Sequence, residues 1–195
     1  IRIGNPDTVN LTNVVVADSN ASLSGGGISS AGNLTVINST ISGNSALSNG
    51  GGIVNAQPGI LVINDSTING NYASAGAGLD NSSVTTPSPT ASLTNVTISG
   101  NAAVANGGGI RNSGLGTATL SLTNVTIAGN TAPSGSGIFN DDSATLKNAL
   151  LANTAGTNCG GALAVTNSGG NLDTGATCGF ALSNAAANLG ALADN

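Results

Sequence analysis

The ten residues SLTNVTISGN (Ser92 to Asn101) return twenty-nine residues later as SLTNVTIAGN (Ser121 to Asn130), with nine of ten positions identical. This near-copy belongs to a longer series. Asn13, Asn38, Asp65, Asn95, Asn124 and Asn148 align at spacings of 25, 27, 30, 29 and 24 residues. Two places before these anchors stand Leu11, Val36, Ile63, Leu93, Leu122 and Leu146, and four places before stand Val9, Leu34, Leu61, Ala91, Leu120 and Ala144. Three places after stand Val16, Ile41, Ile68, Ile98, Ile127 and Leu151. All of these positions are apolar. The alternation of two within each unit is that of a strand, and a tandem period in this range means stacked units that share one core.

A glycine block follows each of the first five units: GGGI at Gly25–Ile28 and Gly50–Ile53, GAGL at Gly76–Leu79, GGGI at Gly107–Ile110, and GSGI at Gly135–Ile138. Asn55, Asn81, Asn112 and Asn140 stand two residues beyond four of these blocks. Each unit thus reads as an anchor strand, a short Thr-Ile strand, a glycine corner and a third strand. The expected fold is all-β: a right-handed single-stranded parallel β-helix of about seven coils, three short strands each. Residues 1–157 would form the repeat coils, and 158–195 a disulfide-bearing terminal part of the same solenoid. Stacking repeats each position about every 4.8 Å. The anchors Asn13, Asn38, Asp65, Asn95, Asn124 and Asn148 are therefore expected to form an inward ladder of side-chain amides. Asp65 departs from it, because a carboxylate has no N–H to pass on. It is expected either to be protonated or to sit at a reshaped turn.

Composition narrows the function. Only 6% of residues are charged, and all eight acids are Asp, against Arg2, Arg111 and Lys147. A net charge of −5 excludes an electrostatic nucleic-acid binder. No apolar run is long enough for a membrane span. Apolar residues at 39%, recurring in register, argue against disorder. Cys159 and Cys178 are too few for a zinc site without histidine. They read as a disulfide worth about 3 kcal/mol, the alternative being two separate buried thiols. A disulfide implies an oxidising compartment.

The alternation of GGGI with ISGN (Ile41–Asn44, Ile98–Asn101), INGN (Ile68–Asn71) and IAGN (Ile127–Asn130) resembles the GGAI and FxxN repeats of polymorphic outer-membrane proteins, with Ile in place of Phe. It more closely resembles bacterial surface proteins with a choice-of-anchor Q domain. NCGGAL from Asn158, GGNL from Gly169, CGF from Cys178 and LGALADN from Leu189 resemble the end of that domain. The resemblance implies a right-handed parallel β-helix displayed on, or secreted from, a bacterial surface. It says little about activity. Against that family's pattern the chain is expected to be trimmed at both ends.

Four candidate chemistries remain. Parallel β-helices also act on polysaccharides, but glycoside hydrolysis needs two facing carboxylates. The one cluster, Asp141–Asp142 with Lys147 nearby, is expected to cap a turn, and Arg111 to face outward as a solubilising charge. The glycine runs lack a P-loop lysine and a recurring Asp for calcium, so no cofactor or metal is expected. Asn33, Asn38, Asn81, Asn95 and Asn124 open Asn-x-Ser/Thr triplets, of which Asn33 and Asn81 are the expected acceptors for a glycan. Thr40, Thr67, Thr97 and Thr126 should stack outward beside Ser42, Asn69, Ser99 and Ala128, with Val15 and Leu150 interrupting. This column is either a binding face for ice or polysaccharide, or plain exposed strand. Open strand edges and few charges favour self-association through the solenoid ends. The expected role is therefore a non-catalytic extracellular structural or adhesive element, with surface glycans or other surface proteins as further partners.

Overall fold

The computed structural model describes residues 1–114, 117–153 and 156–180, and the backbone of 182–183. The LGALADN stretch lies outside the described residues. Parallel strands stack as a β-solenoid of about 6 turns, and no helix occurs among the described residues. Three long sheets run the length of the stack. The anchor sheet has seven strands, from Thr8–Thr12 to Thr166–Asn167. The threonine sheet has eight, from Val15–Ala17 to Leu182–Ser183. The glycine sheet has seven, from Arg2–Ile3 to Cys159–Gly160.

Registers follow the repeat. Leu61 pairs with Leu34 and Ala91, and Ile68 with Ile41 and Ile98. Ile28, Ile53, Leu79, Ile110 and Ile138 continue one column, which ends on Cys159. These columns merge into one narrow core in which Ile53, Ile63, Leu93 and Ile98 are fully buried. Leu, Ile and Val fill it because each rung is one side chain deep on every wall.

The coils differ from the expected three strands. A fourth sheet, of strands Asn20–Ala21, Ser45–Ala46, Tyr72–Ala75 and Ala102–Asn106, lies between the threonine and glycine sheets. Its inner column is Ala21, Ala46, Ala73 and Ala103, which with Ala77 and Ala132 forms a small separate cluster. Alanine lets this strand approach the glycine corner closely. For the same reason the column is faint in a search for large apolar residues.

The anchor ladder exists, but it faces outward. Asn13, Asn38, Asp65, Asn95, Asn124 and Asn148 are exposed, with φ between 48° and 56°. Asn tolerates this left-handed conformation better than most residues, and here it turns the chain from the anchor sheet to the threonine sheet. Each amide donates toward the N-terminal side: Asn38 to Asn13 at 2.6 Å, Asn124 to Asn95 at 3.1 Å and Asn148 to Asn124 at 3.1 Å. Asn95 donates to Asp65 at 2.9 Å. Asp65 has φ 50° like its neighbours, so the turn is not reshaped. Its carboxylate accepts but has no amide to offer Asn38. Asp65→Asn is expected to complete this row and raise stability by about 0.5 kcal/mol, read as a higher urea midpoint with an unchanged slope.

Two other asparagine ladders are buried. Asn44, Asn71, Asn101 and Asn130 close the ISGN-type motifs, and all are at most 1% exposed. In each rung the backbone N–H and Nδ2 both donate to Oδ1 of the next asparagine, at 2.9–3.0 Å. The same Nδ2 also reaches back to the carbonyl of Val16, Ile41, Ile68 or Ile98. The row continues through Asn153 and Asn158 to the carboxylate of Asp173. That carboxylate also accepts the N–H groups of Gly175, Thr177 and Cys178. An acceptor-only group thus ends a row in which every amide donates toward it.

The second buried ladder runs from Asn55 to Asn81, Asn112 and Asn140 at 2.8, 2.8 and 2.9 Å. Asn55 Oδ1 has no partner at its head. Ser30 stands one coil earlier, and its shorter side chain donates to Gly32 O instead.

Candidate functional site

The register of the threonine sheet fixes its outward positions. Thr40, Thr67, Thr97 and Thr126 pair in one column, with Val15 before and Leu150 after. Ser42, Asn69, Ser99 and Ala128 form the parallel column beside it. All eight are half-buried. The exposed Asn corner flanks them on one side and the glycines Gly43, Gly70, Gly100 and Gly129 on the other. The result is a regular strip with rungs about 4.8 Å apart.

Across the Asn corner the anchor sheet adds a second array. Thr90, Ser92 and Thr94 stack on Thr119, Ser121 and Thr123, which stack on Ser143, Thr145 and Lys147. Sequence reasoning missed this face, although TASLT and TLSLT carry it plainly: the polar places alternate with the apolar ones in both. Lys147 is the one charge in the array.

The carboxylates are used differently. Asp80 is 1% exposed, and its Oδ1 accepts from Arg111 Nε at 2.6 Å, Arg111 being 20% exposed. Arg111 Nη2 reaches Asp80 Oδ2 at 3.3 Å, and Ser82 Oγ donates to the same oxygen at 2.7 Å. Arg111 therefore does point away from the core, but as the partner of a buried acid and not as a free solubilising charge. Aligning GAGLDN with GGGIRN would have shown the pair, since Asp80 and Arg111 follow matched Leu79 and Ile110.

Burial pushes the Asp80 carboxyl above its ordinary value; Arg111 and the Ser82 hydrogen bond oppose that shift without cancelling it. A raised folded value means stability that is full below pH about 4 and is lost as pH rises through the folded value. The melting temperature of the wild type minus that of Asp80→Asn is therefore expected to be highest near pH 3 and to fall toward pH 7. A difference that grows with pH would mean that the pair with Arg111 outweighs burial.

Asp141 and Asp142 lie in the two-residue turn between Ile138–Asn140 and Ser143–Lys147. Asp141 accepts from Ser113 Oγ at 3.1 Å and from Ala162 N at 2.8 Å. Asp142 is 2% exposed, its backbone carbonyl accepting from Asn140 Nδ2 at 2.9 Å. Lys147 is exposed at the far end of the following strand.

Asn81 is wholly buried in the second ladder, so the expectation that it could accept a glycan is corrected. Asn33 is exposed, with its Nδ2 on Thr8 Oγ1. Asn38, Asn95 and Asn124 are exposed as well, contrary to an inward ladder.

Cys159 and Cys178 are disulfide-bonded at 2.00 Å. With Gly161, Leu163, Val165 and Thr177 they line an open cleft of about 280 Å³. Among the described residues its walls are apolar side chains, backbone and one hydroxyl. Among the described residues no three Asp or Cys side chains gather as a metal site. No family model, curated protein or solved structure matches the chain.

Proposed function

We propose that this chain is a non-catalytic structural or adhesive element of a bacterial surface, an extracellular right-handed β-helix of about seven coils. The observation that carries this reading is the division of labour between acids and hydroxyls. Asp80, Asp141 and Asp173 are committed to internal bonds, while ordered Thr and Ser rows face outward. A glycosidase needs the reverse, two carboxylates turned toward a sugar. The disulfide supports an oxidising compartment. The likeness of the GGGI and ISGN units to choice-of-anchor Q and polymorphic outer-membrane repeats supports surface display. Association of copies end to end is a further form of the same role, favoured by the low charge; electron microscopy of native material showing only single particles at high concentration would count against it.

A second reading is favoured by the register of Thr40, Thr67, Thr97 and Thr126. A regular lattice of hydroxyls suits a neutral polysaccharide or an ice plane. Thr97→Tyr places a bulky ring in the middle of the strip. It is expected to cut retention on insoluble glycans or ice at least tenfold, while Asp142→Asn leaves retention unchanged. Release of sugar products that depends on Asp142 would overturn the non-catalytic reading. Equal retention of wild type and Thr97→Tyr would remove the threonine face from it.

A further inference from the structure

The corner between the glycine sheet and the anchor sheet changes length along the solenoid. Residues 31–32 make it in one coil, 57–59 in the next, 83–89 in the third, and Asp141 and Asp142 in a later one. The 83–89 segment, SVTTPSP, is an insertion into the repeat, and such insertions gather on one face of a solenoid. Its composition of hydroxyl residues interleaved with Pro87 and Pro89 is that of O-glycosylated stalks. We propose that this loop is an O-glycosylation site and that Thr86 is its acceptor.

The surrounding contacts single out Thr86. Thr85 Oγ1 accepts from Gln57 Nε2 at 3.0 Å, and Ser88 Oγ bonds to Thr117 Oγ1 in the next coil's loop. Ser83 is buried, with its hydroxyl on Thr85 O. Thr86 is exposed, and among the described residues its hydroxyl makes no hydrogen bond. A glycosyltransferase needs a protruding acceptor without ladder bonds, and 83–89 contains no strand and bends at 84–87, which carries Thr86 at its exposed tip. The Thr and Ser rows of the sheets do not meet that need. Their hydroxyls stand one rung, about 4.8 Å, from the next, too close for a sugar on each.

The step is a glycosyl transfer from a nucleotide-sugar donor. The Thr86 Oγ1–C1 bond forms, and the bond from C1 to the diphosphate oxygen breaks. The nucleoside diphosphate leaves with the electron pair, and the hydroxyl proton passes to the transferase's base. Val84, two residues before Thr86, is 76% exposed.

The test is electron-transfer fragmentation of the protein purified from its native host. A sugar mass increment localised to Thr86 is expected, and Thr86→Val expressed in the same host should lose it entirely. Thr119→Val, on the anchor-sheet face, should keep it. A native loop with no increment, or increments confined to other hydroxyls, overturns the proposal.

Discussion

Gly108→Ala is expected to destabilise the protein by about 3 kcal/mol or more. A Cβ at this buried corner would sit 2.6 Å from both Ser136 O and Thr131 O in the next coil. Those atoms are backbone. Gly109 N already donates to Ser136 O at 2.9 Å, so relief requires prising the rungs apart. Gly70→Ala is the informative control. Its φ is +62°, yet its nearest heavy atom is Gly43 N at 3.9 Å, so the cost is left-handed strain alone, about 1 kcal/mol. Urea unfolding of both variants separates the two roles of glycine here. A loss at Gly108 no larger than that at Gly70 would contradict the close approach of coils as the reason for glycine there.

Asn101→Leu is expected to lose about 4 kcal/mol. The substitution takes away the acceptor for Asn71 N and Nδ2, both at 2.9 Å, and the donor to Ile68 O and Asn130 Oδ1. Asn101 is fully buried, so no water replaces what is lost, and each orphaned group costs about 1–3 kcal/mol. The outer ladder should behave otherwise. Asn124→Gly keeps the left-handed turn, and exposure lets water take the freed bonds; its expected cost is under about 1 kcal/mol. Chemical denaturation of both variants checks the contrast. A loss at Asn124 as large as that at Asn101 would mean that the exposed row carries the stack.

The apolar columns were legible because each is repeated in six units and alternates strictly. Leu93 and Ile98 face inward for the reason their spacing implies. The anchor Asn was misplaced by the same logic. Two residues beyond Leu93, alternation puts Asn95 inside, but a left-handed residue breaks the period and swings it to solvent. Gly100 performs the matching turn and sends Asn101 inward, which makes the ISGN asparagine the buried one. Positive φ is a property of single residues, and alternation through one cannot be extrapolated. The fourth sheet escaped notice because alanine signals burial weakly. The hydroxyl surface was half legible: the Thr97 column follows directly from the anchor, while the TASLT and TLSLT face required attention to the polar half of the alternation. The acceptor loop could be located by its prolines, but choosing Thr86 required its neighbours' bonds.

Buried amide rows, bonded from coil to coil, hold the solenoid in register. Side-chain amide exchange measured by NMR tests this most directly. The Nδ2 protons of Asn71, Asn101 and Asn130 are expected to exchange only on global unfolding, while those of Asn38, Asn95 and Asn124 exchange orders of magnitude faster. Exchange of Asn101 at the rate of Asn124 would contradict the account.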